Sequence, residues 1–296
     1  MESLIKRHSA VNCLERINNT TVSPFAYRPS ERIVHCEYPE KSKYISQYSI
    51  NETQKLVLKA VEEMLFCTSK LIMAKLDTMN INVEPKTVRN AIDNLFEGGY
   101  LHKIKFCTNE TASNTSCYRV YFLSYRKGGS LFRAVFGRNA KRISYAESVT
   151  DPTVIKKYLA INQYLINISA APLLERGQVI NKKSFLSSFP VRILGSAQVN
   201  RNLVFFEAFR RSDTPEITLE KQSRFAKFLR SPFKNVTPAI EGESVALVAI
   251  CEDAEHAEEM RKFLRKTYRG VNVTFTYDTA IFDSSDCVEL ELEQAS

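Results

Sequence analysis

Hydrophobic positions recur with helical spacing in three consecutive segments between Asn51 and Gly98, and they alternate with polar positions in the two runs that follow. In the first segment one helix face would carry Leu56, Val57, Ala60, Val61, Met64 and Leu65. Thr68 can cap a second helix, and Pro85 can begin a third. The runs Leu101–Phe106 and Tyr118–Leu123 predict two strands that are joined by the polar loop Thr108–Ser116. This order predicts a winged-helix DNA-binding domain over residues 51–125, with the loop as its wing.

The third predicted helix has two chemically different faces. Its apolar face consists of Val88, Ala91, Ile92 and Leu95. Its polar face offers Lys86, Arg89, Asn90 and Asp93, and Thr87 is a further expected DNA contact. Arg and Asn side chains can bond base edges in the major groove, and Lys suits phosphates. We therefore expect a recognition helix; the alternative is a small helical domain whose polar face is merely solvated.

The charge distribution adds to the expectation of double-stranded DNA as a partner. The chain of 296 residues has a formal net charge of +8, and no Asp or Glu occurs from Thr111 to Ala146. The expected DNA contacts outside the third helix are Lys103, Lys105, Arg119, Arg126, Lys127, Arg133, Arg138, Lys141 and Arg142. Residues 126–150 are interpreted as a basic linker. Residues 241–296 are acidic overall, and we expect them to face away from nucleic acid.

The rest of the chain predicts a flanking arm and a second domain. Residues 1–50 predict a short helix over Leu4–Ile17 and then an extended arm, because prolines interrupt any longer element. A second domain over residues 151–296 would start at Asp151 as an N-cap. Its predicted order is helix, three strands, helix, strand, helix, strand, and the first of the three strands would be Val179–Leu186. The chain as a whole is thus expected to be α+β.

That order matches the restriction-endonuclease-like core, in which an Asp on the second strand and an E-x-K on the third bind magnesium. Here the third strand offers Glu207 followed by Arg210, and the second has Val191 and Arg192 where an Asp is needed. One isolated carboxylate holds magnesium poorly. We expect Glu207 to be a structural or salt-bridged residue rather than a catalytic one, the domain to be inactive, and no cofactor to be bound; Mg²⁺ would be required only if the domain is a nuclease.

The chain resembles the replication-relaxation family of plasmids and integrative conjugative elements, in which a winged helix is joined to a nuclease-like domain. Over roughly residues 50–285, the resemblance rests on the segment Thr87–Leu123, Phe205–Ala208 followed by Glu220-Lys221, Ala249–His256, and Thr274–Asp278 followed by Ile281-Phe282. It implies DNA binding in replication, relaxation, transfer or transcriptional control of a mobile element. The missing metal ligands count against nuclease activity.

Three hypotheses about function follow from these patterns. The first is a site-specific DNA-binding protein that forms a homodimer, because two half-sites raise specificity. The second is a magnesium-dependent endonuclease that uses Glu207 with a further carboxylate such as Glu175 or Asp213. The third is an adaptor whose acidic residues Glu255, Glu258 and Glu259 dock a relaxase or replication initiator.

The sequence contains neither a targeting signal nor a metal-ligand spacing that we recognise. The N-terminus lacks the apolar run of a signal peptide, and no apolar stretch is long enough to span a bilayer, so we expect a cytoplasmic protein without membrane contact. The seven cysteines are scattered and form no C-x-x-C pair, which predicts no zinc site. His256 is expected to lie on an exposed helix face.

Overall fold

The computed structural model describes residues 23–39, 45, 48–107, 119–141, 151–169, 194–199, 202–230 and 245–280. The protein is α+β, as predicted, and these residues hold seven helices and two sheets. The chain divides into two compact units. Of the described residues, those from 28 to 166 form the first unit, and those from 23 to 27 and from 167 to 280 form the second. The predicted helix Leu4–Ile17 and strand Val179–Leu186 lie outside the described residues.

The first unit contains three consecutive short helices, and local sequence signals set their ends. Helix α1 spans Glu52–Met64, α2 spans Ser69–Thr78 and α3 spans Pro85–Glu97. Asn51 and Gln54 form a capping box at α1, and Thr68 Oγ1 accepts the Leu71 N–H at 3.2 Å. Their apolar faces meet in a common core that includes Val57, Val61, Leu71, Ile92 and Leu95.

A three-stranded antiparallel sheet completes this part of the unit. Strand β2 (Leu101–Cys107) pairs with β3 (Arg119–Leu123), as predicted. On its other edge β2 pairs with β1 (Arg32–His35), which lies where the sequence predicted an extended arm. Between α1 and α2, Cys67 forms an antiparallel bridge to Tyr121 of β3. The predicted wing loop lies outside the described residues.

The predicted linker over residues 126–150 is in part a helix, which corrects the sequence interpretation. Helix α4 spans Lys127–Phe136 and buries Leu131 and Phe132. A Cβ at Gly128 would lie 2.2 Å from the Tyr100 carbonyl oxygen, whereas nothing lies within 4 Å of one at Gly129. Gly128 therefore permits this close approach of α4 to the strand end.

Helix α5 (Pro152–Ser169) begins where the second domain was expected to begin, but residues up to Ile166 belong to the first unit. The Asn162 side-chain amide donates to the carbonyl oxygens of Met64 and Phe66 at 2.8 and 2.9 Å. Tyr158 packs against Phe66, with ring centroids 5.5 Å apart. The boundary predicted at residue 151 is therefore too early, because the buried face of α5 is used by the first unit.

The second unit contains a four-stranded mixed sheet with the order β4-β5-β6-β7. Its strands are β4 (Gly195–Val199), β5 (Asn202–Ala208), β6 (Val245–Cys251) and β7 (Asn272–Tyr277). β4 and β5 are antiparallel, whereas β5, β6 and β7 are parallel. Helices α6 (Pro215–Arg230) and α7 (Ala254–Leu264) connect the parallel strands, as the pattern predicted.

The core of the second unit lies between the sheet and its helices. Phe205 of β5 packs edge-on against Phe225 and Phe228 of α6, with centroids 6.0 and 5.6 Å apart. Leu247 and Leu264 are fully buried in the same cluster. This packing explains why Val245–Cys251 reads as an uninterrupted apolar run, since a strand between two parallel neighbours is covered on both faces.

Candidate nucleic-acid interface

The exposed side of α3 carries the side chains that the sequence assigned to recognition. Val88, Ala91, Ile92 and Leu95 are buried against the other two helices. Rotation of 100° per residue then turns the intervening positions to solvent. The exposed residues on α3 include Lys86, Thr87, Arg89, Asn90 and Asp93. The helix thus presents guanidinium, amide and ammonium groups together, with one carboxylate among them.

Cationic side chains share one face of the three-stranded sheet. Lys105 stands opposite Arg119 of β3 on one side and opposite Val34 of β1 on the other. Lys103 and Arg32 lie two residues from Lys105 and Val34 along their strands. Side chains of directly paired residues, and of residues two apart, project on the same side of a sheet. Arg32, Lys103, Lys105 and Arg119 therefore form one cationic face, which we call the sheet face.

The sheet face lies next to α3. The Lys103 Nζ sits 3.8 Å above the centre of the Phe96 ring, and Phe96 belongs to α3. Burial raises the pKa of Tyr121 to about 12, with the Asp93 carboxylate of α3 as a further cause. Lys103 is half-buried, and this burial lowers its pKa, with Arg119 and Lys105 adding to the effect. Neighbouring cations that repel one another in this way would be stabilised by an anion placed over them.

Arg32 is the residue of this face that sequence reasoning missed. It lies in the segment predicted as an extended arm, and only its pairing with Cys107 brings it to the sheet face. The available signal was the short run Arg32-Ile33-Val34-His35, in which two adjacent apolar residues break the alternation of apolar and polar positions that is typical of a strand. A strand of four residues is too short for such a pattern to be decisive.

The basic segment after β3 divides into free cations, which form no ion pair within the described residues, and cations held by Glu62. Arg126, Lys127 and Arg133 are exposed on or beside α4. Arg138 instead donates from both Nη atoms to the Glu62 carboxylate at 3.0 Å, and the Lys141 backbone N–H donates to the same carboxylate at 2.9 Å.

These contacts change the roles expected for the end of the segment. Hydrogen bonding to Glu62 raises the pKa of Arg138, and burial lowers the pKa of Lys141. Arg138 is therefore joined to a buried carboxylate of α1 and does not belong with the free cations. Lys141 is half-buried beside the same carboxylate. The predicted contact Arg142 lies outside the described residues.

The candidate metal site around Glu207 does not fit a magnesium ion. Glu207 is buried on β5, and its Oε1 accepts a hydrogen bond from the Lys221 Nζ at 2.8 Å, which agrees with the expectation of a structural or salt-bridged residue. Strand β4 carries no Asp or Glu, and Asp213 accepts the Arg210 backbone N–H in the turn after β5. Glu175 lies outside the described residues. Within the described ranges, no three His, Cys, Asp or Glu side chains are grouped as metal ligands would be.

Charged groups at the carboxyl ends of the parallel strands pair with one another, although the buried Arg210 Nε has no hydrogen-bond partner among the described residues. Arg210 and Asp278 are both fully buried and form an ion pair at 3.1 Å. Ser23 donates a hydrogen bond to Asp278 as well. Burial raises the pKa of Asp278 to about 6, although Arg210 and Ser23 oppose the shift. Glu252 Oε1 accepts the backbone N–H groups of Tyr27 and Arg211 at 2.8 and 3.0 Å.

His256 and the acidic residues around it differ from expectation. His256 is 4% exposed rather than solvated, because its Nδ1 accepts the Glu252 N–H at 3.3 Å beneath the first turn of α7. Arg211 pairs with Glu255 and Glu259, at 3.7 and 3.1 Å. Glu258 pairs with basic residues of its own helix. The carboxylates expected to dock a partner therefore already have cationic partners.

Comparison of the chain with protein-family models, with curated proteins and with solved structures gave no match. None of the described helices is both long enough and apolar enough to cross a membrane. A proposal for the function therefore depends on the arrangement of the chain's own side chains.

Proposed function

We propose that the protein binds double-stranded DNA through its first unit, that this unit is a winged helix, and that α3 is its recognition helix. The observation that carries the proposal is the combination of the exposed face of α3 with the adjacent cationic sheet face. Arg89 and Asn90 are free to bond base edges, and Lys86 is free to contact phosphate. Lys103, Lys105, Arg119 and Arg32 would follow the backbone beside the groove.

The arrangement of strands supports the winged-helix part of the proposal. A three-helix unit of this kind places its third helix against a hairpin, and here Lys103 of the hairpin contacts Phe96 of α3. The bridge from Cys67 to Tyr121 ties the segment between α1 and α2 to the same hairpin. The wing would then extend from the ends of β2 and β3.

We further propose that the protein serves a plasmid or conjugative element, in replication, relaxation, transfer or transcriptional control. The support is the sequence resemblance described above. We assign the second unit a nuclease-like fold without activity, since Glu207 is held by Lys221 and β4 supplies no carboxylate. A cytoplasmic homodimer on two half-sites completes the proposal, because one recognition helix covers few base pairs.

Selection of bound duplexes from random DNA, followed by affinity measurements, tests the proposal. The wild type should enrich a defined sequence, and Arg89→Ala should lose about 1–3 kcal/mol of binding free energy on that sequence only. Sedimentation on the selected duplex should give two chains per site. Failure to enrich any sequence, or an equal loss on selected and random DNA, would contradict recognition by α3.

A further inference from the structure

We propose that the second unit carries its own contact surface for the phosphate backbone of DNA, formed by Arg265, Lys266 and Arg269 at the end of α7. This basic ridge lies within residues 241–296. Because that segment is acidic overall, the sequence predicts that it faces away from nucleic acid. This surface is separate from α3, and the proposal rests on the proposed function only in taking DNA as the polyanion that is bound.

Packing holds the ridge in a fixed conformation. Helical bonding continues one turn beyond Leu264, because the Tyr268 N–H donates to the Leu264 carbonyl at 3.0 Å. Leu264 and Tyr268 are buried four residues apart, and the Tyr268 hydroxyl donates to Gln222 of α6. The Arg230 guanidinium donates to the carbonyl oxygens of Thr267 and Arg269 at 2.6 and 3.0 Å. These bonds to residues of α6 therefore hold the backbone of the ridge in place.

The side chains of the ridge are exposed, and they have no ion pair within the described residues. In the part of the chain that the structure describes, Arg261 and Lys262 pair with Glu258, but no carboxylate pairs with Arg265, Lys266 or Arg269. A helix C-terminus by itself favours cations in its last turn. Arg261 and Lys262 already supply that compensation, so the three further cations exceed what the helix end requires.

Three cations beside one partly exposed aromatic side chain favour a polyanion over other partners. The exposed apolar residue nearby is Phe263, at 42% exposure. Protein interfaces have an apolar or aromatic centre, and membrane-binding helices bury an apolar face. The turn formed by residues 265–269 would span about 6 Å at a helical rise, a length over which one DNA strand presents about two phosphates. The ridge therefore fits a short stretch of one strand's backbone.

The test compares two full-length variants with the same change in charge. Arg265→Gln with Lys266→Gln removes two ridge cations, whereas Lys55→Gln with Arg224→Gln removes one Lys and one Arg that pair with carboxylates on their own helices. Affinities for selected and random duplexes are measured from 0.05 to 0.3 M NaCl, beside Arg89→Ala. The ridge variant should bind both duplexes about tenfold more weakly at 0.1 M, and its salt slope should fall by about 2.

The outcomes separate this proposal from the proposed function. If the ridge variant matches the control while Arg89→Ala loses its preferred site, the ridge is not a DNA surface and recognition by α3 stands. If the ridge variant binds DNA more weakly while Arg89→Ala has no effect, the ridge is a DNA surface and recognition by α3 is contradicted. A ridge variant that keeps its DNA affinity but loses wild-type binding to phosphatidylserine vesicles or to polyglutamate overturns the assignment to DNA.

Discussion

Replacing Arg138 with methionine should destabilise the first unit, because Arg138 is a structural partner of Glu62. The Glu62 side chain is 0% exposed, and it accepts two bonds from Arg138 at 3.0 Å and one from the Lys141 N–H. Removing one member of a fully buried pair costs about 3–5 kcal/mol. Since the Arg138 side chain is 51% exposed, solvent screens the pair and water can reach the carboxylate left behind. We therefore expect a loss of about 2 kcal/mol in the free energy of unfolding.

Urea unfolding followed by far-UV circular dichroism measures this loss. The matched control is Arg133→Met, which removes an exposed cation of α4 that has no ion pair among the described residues and should change stability by less than about 0.5 kcal/mol. Adding Glu62→Gln to Arg138→Met should recover part of the loss, because a buried amide costs less than a buried charge. Equal stabilities of the two single variants would refute the reasoning.

Three further predictions follow from packing and charge. Gly128→Ala should cost more than about 2 kcal/mol in thermal or urea unfolding, because its Cβ meets a carbonyl oxygen, whereas Gly129→Ala should stabilise α4 by about 0.5–1 kcal/mol. Asp278 has a pKa raised to about 6, so the stability of the wild type relative to Asp278→Asn should be greatest near pH 4 and should fall as the pH rises through 6. Asp93→Asn removes a carboxylate from the exposed side of α3 and should strengthen binding to random DNA by about two- to fivefold at low salt, as measured by fluorescence anisotropy.

Each of these predictions has an outcome that contradicts it. Similar stabilities for the two alanine variants would mean that α4 does not approach β2 as described. A stability difference between wild type and Asp278→Asn that grows from pH 4 to 7 would show that Arg210 dominates and depresses the carboxyl pKa. Unchanged affinity of Asp93→Asn would place Asp93 away from the bound phosphates.

The parts of the fold that the sequence predicts best are those fixed by local interactions. The cap at Thr68, the start of α3 at Pro85 and the buried strand Val245–Cys251 follow from neighbouring residues. The exposed polar side of α3 was predictable for the same reason, because all the apolar residues of its buried side lie in this one helix. Helical geometry then turns the remaining residues to solvent.

Features that depend on distant contacts could not be read from the sequence. Strand β1 exists because it pairs with β2, and α5 joins the first unit because Asn162 bonds carbonyl groups near residue 65. His256 is buried by a bond to the Glu252 backbone, although its neighbours in sequence are acidic. The sequence did not predict the basic ridge, because the net charge of residues 241–296 combines its cations with carboxylates that lie elsewhere in the segment. Arg138 shows the same limit, since its partner Glu62 lies 76 residues away in the chain.

The affinity of Arg89→Ala for selected and random duplexes, compared with that of Arg126→Ala, tests the central claim most directly. Both residues are exposed cations, one on α3 and the other before α4. Recognition by α3 predicts that Arg89→Ala loses about 1–3 kcal/mol on the selected site and little on random DNA, whereas Arg126→Ala weakens both equally. An equal loss on both duplexes for Arg89→Ala, or no DNA binding by the wild type, would contradict it.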